Sequence, residues 1–493
     1  MNPIESYGLA VLLASVVVLV GVLSNRLSQR LRVPAPGLFL VAAAMASDIW
    51  PGLYRLPVVA VEQVVTIGLA VILFDGGMHI GWHRFRAAAA ATAWLGVVGT
   101  LVTTAATAFA AHALFGFGWP AALLLGTALA PTDPAVVFSV LGRREVTGRT
   151  GALLQGESGA NDPVGIALLL SLLGASGSVA GQVGHVVVEF GLQMVVGGAV
   201  GVAGGFALLA TMRRIPLPSE GLYAVRVLAS ALALYGLATV AHGSGFLAVF
   251  VAGIVIGDER APYKREIERF HSSFASLAEV VSFVLLGVTI PLREVWSGDT
   301  LRIGLGLAVL LSFVIRPVLV GLMLWPVRLA GGERLFVLWT GLKGAVPILL
   351  GAFILQAGVP GAGRIYDVIF VVVAFSVFVQ GGLVPTLARR WRVPMRMIEP
   401  EPWSLGVRFQ HEPAGMHRFT VVPGAPADGV PVGDVPVGSD AWISFVTRDG
   451  RLVPLRSDAV LRAGDDVVVL ADLDEAAGLR AVFSEAAPVR KAD

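Results

Sequence analysis

The chain has 493 residues, 56% of them hydrophobic and only 14% charged, with a mean hydropathy of +0.78. A soluble globular protein carries about 25% charged residues, so the composition excludes a water-soluble fold for most of the length and implies a polytopic membrane protein. The lack of cysteine excludes a disulfide framework and a thiolate metal site. The net charge of +2 hides a split: residues 401–493 hold nine Lys/Arg against fourteen Asp/Glu, and residues 1–400 hold 27 against 20.

At about 20 residues per crossing, thirteen spans are predicted, near 7–24, 36–47, 58–78, 87–111, 119–141, 150–173, 183–211, 221–241, 244–257, 275–291, 301–325, 334–357 and 365–388. The first has no basic leader and precedes many others, so it reads as a retained span rather than a cleaved signal. Ala261–Ser273 is mixed in charge and reads as a separate interfacial helix before the tenth span. Twenty Lys/Arg fall in alternate connecting loops, and the opposite loops hold only Arg55, Arg293, Arg302 and Arg364. The basic side is cytoplasmic. This predicts an N-terminus outside and a C-terminal region inside from about Pro394.

Ionisable groups within these spans are rare and costly, roughly 3 kcal/mol each on insertion scales, so each one calls for a role. Asp75, in Phe74-Asp75-Gly76-Gly77-Met78, lies near the cytoplasmic end of the third span, where it lines an access path or reaches the interface. Asp133 sits between Pro131 and Pro134 in the fifth span. Pro134 cannot donate a backbone hydrogen bond and disfavours helix before it. The helix should therefore unwind at Thr132-Asp133, with Asp133 capping the following half and freed carbonyls turned to a cavity. In the sixth span Glu157 stacks with Asn161 and Ser158 with Asp162, as i,i+4 pairs. One helix face thus carries acceptors suited to a hard monovalent cation or a proton. Arg316 and Lys343 need acids or the C-terminal ends of broken helices as partners. Glu62, Glu189 and Glu279, near span ends, receive no role.

Pro134 and Pro347 lie 213 residues apart, each following a long apolar helix and preceding a further span. Span five then corresponds to span twelve, with an odd number of spans between equivalents. Inverted repeats with Pro/Gly-broken helices in matching positions point to the site of a secondary transporter.

Glu157-Ser158-x-x-Asn161-Asp162-Pro163, preceded by Thr132-Asp133-Pro134, resembles the ion-binding signature of the NhaP branch of the monovalent cation:proton antiporters (the cation:proton antiporter-1 family). Phe74-Asp75-Gly76-Gly77-Met78, Arg316-Pro317 and Gly341-Leu342-Lys343-Gly344-Ala345 fit the same pattern, and the match spans residues 7–390. The resemblance implies an all-α, NhaA/NhaP-like antiporter fold of about thirteen transmembrane helices with crossing broken helices. It also implies a homodimer, joined through a scaffold domain beside a six-helix core. By the same resemblance Asp162, Ser158 and the Thr132 carbonyl hold a monovalent cation, with Asp133 and Glu157 close by. Asn161 is held by Glu157, and Arg316 pairs with the core acids. Lys343 stands where many relatives have Arg, keeping the charge but losing bidentate pairing. Some relatives carry Glu in the Asp75 position.

The remainder reads as short β-branched runs separated by turns, ending in a helix at Leu473–Phe483. Phe419–Gly424, Ala441–Gly450 and Ala463–Leu470 resemble the TrkA-C regulatory domain, and no G-x-G-x-x-G fingerprint precedes them. The domains are then a transmembrane exchanger at 1–393, a linker at 394–403, a small α+β cytoplasmic domain at 404–485 and a tail at 486–493.

The combination implies exchange of potassium for protons across the cytoplasmic (inner) membrane, with sodium as the nearer alternative. Asn161-Asp162 offers one titrating carboxylate where electrogenic relatives have two, so exchange is expected to be one-for-one and electroneutral. Beyond potassium or sodium and protons, no cofactor and no nucleic acid partner is expected, and an unidentified small-molecule effector is expected at the C-terminal domain. A potassium channel would need a T-V-G-Y-G filter, which is absent. A hydrolase would need a histidine near Ser158, so no enzymatic role is assigned. A sensor worked by the tail would leave the buried acids unexplained.

Overall fold

A computed structural model of the chain describes residues 34–49, 57–141, 144–175, 179–259, 261–296, 299–325, 327, 329–397, 415–437, 441–448, 451–454, 456–471 and 476–484, with isolated positions before residue 34. Most of the first predicted span, 7–24, lies outside the described residues, and so does all of the predicted tail 486–493.

Spans two to thirteen are helical. The second to fourth are α1 (Ala35–Ile49), α2 (Val58–Ala93) and α3 (Gly99–Phe115), the last preceded by a π-helical turn, Trp94–Val98. The fifth is two half-helices, α4 (Trp119–Leu129) and α5 (Pro134–Leu141), and the sixth is α6 (Gly148–Leu173). Four more follow: α7 (Val179–Arg214), α8 (Glu220–Val240), α9 (Gly245–Gly257) and α10 (Lys264–Val288). After the short α11 (Leu292–Trp296), the eleventh span is α12 (Thr300–Leu310) and α13 (Arg316–Met323), joined through a second π turn. The twelfth is again two halves, α14 (Gly331–Trp339) and α15 (Ala345–Gln356). The last is α16 (Ala362–Phe375) and α17 (Gly382–Arg390), with a third π turn between them. Among the described residues eight helices are long and apolar enough to cross a membrane, and three shorter apolar helices accompany them.

Two local differences from the sequence reading have plain causes. The separate interfacial helix at 261–273 is absent: α10 runs unbroken from Lys264. No Gly or Pro lies between Lys264 and Leu286 to interrupt it, and Lys264–Glu268 forms an i,i+4 pair at 3.5 Å. Residues 395–397, read as the start of a linker, form strand β2 (Met395–Met397), antiparallel to β1 (Arg144–Val146). This ribbon ties the loop after α5 to the end of α17.

Close helix approach depends on glycine. A Cβ at Gly77 of α2 would strike the α9 backbone, and one at Gly253 of α9 would strike the backbone of α2. Small residues let helices touch where lipid gives no hydrophobic drive between them. Gly81, at φ 65, interrupts α2 so that its crossing stretch ends at Trp82.

The chain divides into two units at Ile398/Glu399. The second is a four-stranded antiparallel sheet, order β3-β6-β4-β5, of β3 (Gly415–Thr420), β4 (Trp442–Arg448), β5 (Arg451–Val453) and β6 (Asp466–Ala471). Helix α18 (Ala476–Phe483) packs Leu479 and Phe483 into its own small core with Val421, Val467 and Val469. Burial disfavours a charged Asp465. Even so, the Arg448 guanidinium, at 2.7 Å, and the Arg462 backbone N–H hold its carboxyl below the usual carboxylate range.

Candidate functional site

The two broken spans meet through their unwound segments. Asp133 N–H donates to the carbonyl of Leu342 at 2.8 Å, so residues 130–133 of one lie directly against 341–344 of the other. Each break leaves two orphan helix ends, and the side chains around them neutralise all four.

The C-terminal ends are met by cations. Lys343 Nζ donates to the carbonyls of Ala130 and Pro131, at 3.0 Å each, just past the end of α4. Arg316 donates from Nε to the carbonyl of Leu338 at 3.1 Å and from Nη2 to that of Val337 at 3.2 Å, at the end of α14. The N-terminal ends share one anion. Asp133 accepts from the Ala135 amide of α5 at 2.8 Å, and the Val136 and Ala345 amides are also directed at its carboxylate. Two glycines make room: a Cβ at Gly344 would overlap the Asp133 carboxylate, and one at Gly341 the Arg316 guanidinium.

Helix α6 passes beside this crossing, and Gly165 lets it press against Pro131. Its polar face is buried, with Glu157, Ser158, Asn161 and Asp162 each no more than 6% exposed. Glu157 gives its two oxygens to Arg316, at 2.8 and 3.1 Å, the bidentate geometry that an Arg–carboxylate pair needs when dry. Asn161 is held by Thr132 rather than by Glu157: its Nδ2 donates to Thr132 Oγ1 at 2.8 Å, and its Oδ1 accepts from the Thr132 amide at 3.3 Å. The expected Asn161–Glu157 contact is thus corrected: Glu157 turns to Arg316, and both ends of the Asn161 amide are taken by Thr132. Ser158 Oγ donates to the Thr132 carbonyl.

What remains is Asp162. Its Oδ1 is buried without a hydrogen-bond partner, while Glu157, Arg316, Lys343 and Asp133 are all engaged. The structure therefore gathers Asp162, Ser158, Thr132, Asp133, Glu157, Asn161, Arg316 and Lys343 around one crossing, and leaves one carboxylate oxygen free there. A carboxylate, a hydroxyl and a backbone carbonyl are hard oxygen donors that suit an alkali cation or a proton.

Asp75 lies elsewhere, in contact with Ser272 Oγ at 3.1 Å and His79 Nδ1 at 3.4 Å. Sequence reasoning gave no role to Glu279 of α10, which lies within range of the Asp133 charge and whose Oε1 is also buried without a hydrogen-bond partner. It also passed over Ser376 and Gln380 in the third π turn. Ser376 Oγ accepts from the Lys343 amide at 2.9 Å and donates to Gln380, which reaches the Trp339 carbonyl at 3.4 Å. Their only trace in the sequence is two polar residues four apart in an apolar span.

Residues 13–390 match the family model described as "Sodium/hydrogen exchanger, transmembrane", and residues 416–484 match the TrkA-C domain. The chain is 32% identical over 492 residues to the K(+)/H(+) antiporter NhaP of Alkalimonas amylolytica, covering 99% of this chain and 85% of the relative. It is 30% identical over 486 residues to the K(+)/H(+) antiporter NhaP2 of Shewanella oneidensis, covering 96% and 83%. Among solved structures, the sodium proton antiporter MjNhaP1 of Methanocaldococcus jannaschii at pH 8 superposes with a TM-score of 0.66 at 22% identity, covering 78% of this chain and 99% of that one.

Proposed function

The chain belongs to the sodium/hydrogen exchanger family, and from that premise we propose that it exchanges potassium for protons across the cytoplasmic membrane, one for one. The unpartnered Asp162 oxygen carries this reading. Glu157, Arg316, Asp133 and Lys343 are each matched by a partner or a helix end, so at the joint between the two breaks Asp162 is the acid left open to a ligand.

Asp162, Ser158 and the Thr132 carbonyl hold the cation. A proton on Asp162 takes the place of the cation, because one carboxylate cannot hold both well. Moving the site between faces with Asp162 charged and empty exposes a bare carboxylate to low dielectric, at roughly 3 kcal/mol or more. The occupied forms are spared that penalty, and obligatory exchange follows. Asn161 is neutral and engaged with Thr132, so one charge is traded for one. Glu157–Arg316, Asp133 and Lys343 keep the crossing rigid and electrically balanced.

Potassium is favoured by the two relatives named as K(+)/H(+) antiporters, which cover nearly the whole chain. The sodium reading has support of its own in the Na(+)/H(+) antiporter ApNhaP of Aphanothece halophytica, 26% identical over 353 residues. The loop charges support a cytoplasmic C-terminus, and the TrkA-C domain supports regulation by an effector there. A homodimer is part of the same reading.

Proteoliposomes decide the core claim. Asp162→Asn is expected to abolish potassium-driven proton flux, and appreciable residual exchange would sink the scheme. Exchange that responds to membrane voltage through net charge transfer would overturn the one-for-one ratio. Comparison of potassium, sodium, rubidium and lithium in the same assay ranks the ions.

A further inference from the structure

Glu62, the one acid near the start of α2, faces a cavity of about 820 Å³. On one side stand α2, α8 and α9, with Thr66, Tyr235 and Phe246. On the other stand Leu170 of α6 and Gln356 of α15, the two helices that also frame the exchange site. Leu170 lies eight residues beyond Asp162 on α6, about 12 Å along the axis. The cavity thus opens over the same helix face that carries the site, at the end where the loops are poor in Lys and Arg.

The lining has a distinct chemistry. Glu62 is its only charged residue, and no Lys or Arg accompanies it. The neutral oxygens of Thr66, Gln356 and the Tyr235 phenol are within the same cavity. The Gln356 amide nitrogen, oriented to donate, lies against the Glu62 carboxylate. A neutral donor therefore occupies the place that a cation would contest, and it bridges α2 to α15. A single carboxylate in a cleft with largely apolar walls focuses field toward cations. With one negative charge and neutral oxygens it draws a monovalent ion without trapping it, whereas calcium sites use several charged ligands.

We propose that Glu62 and the cavity around it form a second, low-affinity monovalent-cation site, a portal on the extracytoplasmic face that feeds or receives the ion exchanged at Asp162. The same helix carries Asp75 thirteen residues on, about 20 Å away, where a hydroxyl and a histidine, Ser272 and His79, contact the acid. The two ends of α2 are therefore not equivalent: the partner of Glu62 is a neutral amide at a cavity wall, and that of Asp75 includes a titratable histidine. The proposal rests on the transport reading for its purpose, but its binding chemistry can be tested without transport.

The chain has no cysteine, so Thr66→Cys introduces a single thiol in the cavity wall. In intact-orientation vesicles, a membrane-impermeant cationic methanethiosulfonate is expected to label this variant severalfold faster than an anionic one. Potassium or rubidium at tens of millimolar is expected to slow the cationic reagent. Adding Glu62→Gln should erase both effects. A charge preference and cation protection that survive Glu62→Gln would overturn the proposal, as would labelling only from the cytoplasmic face. In a second arm, Glu62→Gln alone is expected to raise the half-saturating potassium concentration severalfold for ions presented outside and much less for ions presented inside. Equal shifts on both faces, or none, would overturn the portal. Because labelling does not depend on turnover, its failure is distinct from a failure of the exchange reading, which Asp162→Asn tests.

Discussion

The two unwound segments, Ala130–Asp133 and Thr340–Gly344, occupy equivalent places in the repeat yet are finished differently. The second is stitched shut: Ser376 takes the Lys343 amide, Gln380 reaches Trp339, and Arg316 takes Val337 and Leu338. The first borrows its compensation from the second, through Lys343 at one end and the Ala345 amide at the other. It turns Thr132 toward α6, where Asp162 has an unpartnered oxygen. One break supplies charge and rigidity, and in the exchange proposed above the other presents ligands. A repeat that begins symmetric can thus divide its labour, with the proposed binding oxygens gathered on one side and the structural charges on the other.

The largest test of that division is Gly344→Ala. The added methyl overlaps the Asp133 carboxylate, so the joint between the segments must open by roughly 1 Å to restore ordinary van der Waals contact. Exchange is expected to fall at least tenfold in proteoliposomes, since a displacement of about 1 Å at a positioned site costs on the order of a hundredfold. Gly76→Ala, where a Cβ meets nothing within 4 Å, is the matched control. If the two variants behave alike, the segments are not rigidly coupled.

Next in size is the Arg316–Glu157 pair. Arg316→Met leaves Glu157 buried and unpaired, at about 3–5 kcal/mol, and should lower the thermal midpoint in detergent strongly. Arg316→Met combined with Glu157→Leu should recover much of that loss, because the uncompensated charge is gone. A double variant no more stable than the single one would mean that Arg316 acts chiefly through the α14 carbonyls.

Much of this arrangement was legible beforehand. The break at Thr132-Asp133 follows from Pro131 and Pro134, and the partnership of Lys343 with a broken helix end follows from the cost of a lone cation. Twelve predicted spans coincide with helices because apolar length is set by bilayer thickness. What could not be read is who partners whom. Asn161 and Glu157 are one turn apart on α6, and only the tertiary structure, which brings the Arg316 side chain to Glu157 and Thr132 to Asn161, decides which partner each takes. Ser376 and Gln380 were invisible for the same reason: their work is done across 33 and 41 residues of sequence. The β1–β2 ribbon escaped because a three-residue strand carries no period.

Smaller effects separate the two segments most cleanly. Thr132→Val keeps the backbone carbonyl but removes the acceptor of Asn161 Nδ2. One lost hydrogen bond of about 1 kcal/mol corresponds to about fivefold, and the half-saturating cation concentration should rise by about that factor. An unchanged value would show that Asn161 does not help to orient the Thr132 carbonyl.

Ser376→Ala is the counterpart on the other side. It removes one acceptor from the Lys343 amide and one donor to Gln380. Side-chain hydrogen bonds between membrane helices average about 0.6 kcal/mol, so a modest loss of thermal stability is expected. Because Ser376 touches the structural segment and none of the binding oxygens, the half-saturating potassium concentration should stay within about twofold, below the change that one full hydrogen bond would give. Should Ser376→Ala instead weaken cation affinity as much as Thr132→Val does, Thr340–Gly344 would belong to the ligand sphere. The two breaks would then share the ion rather than divide the work.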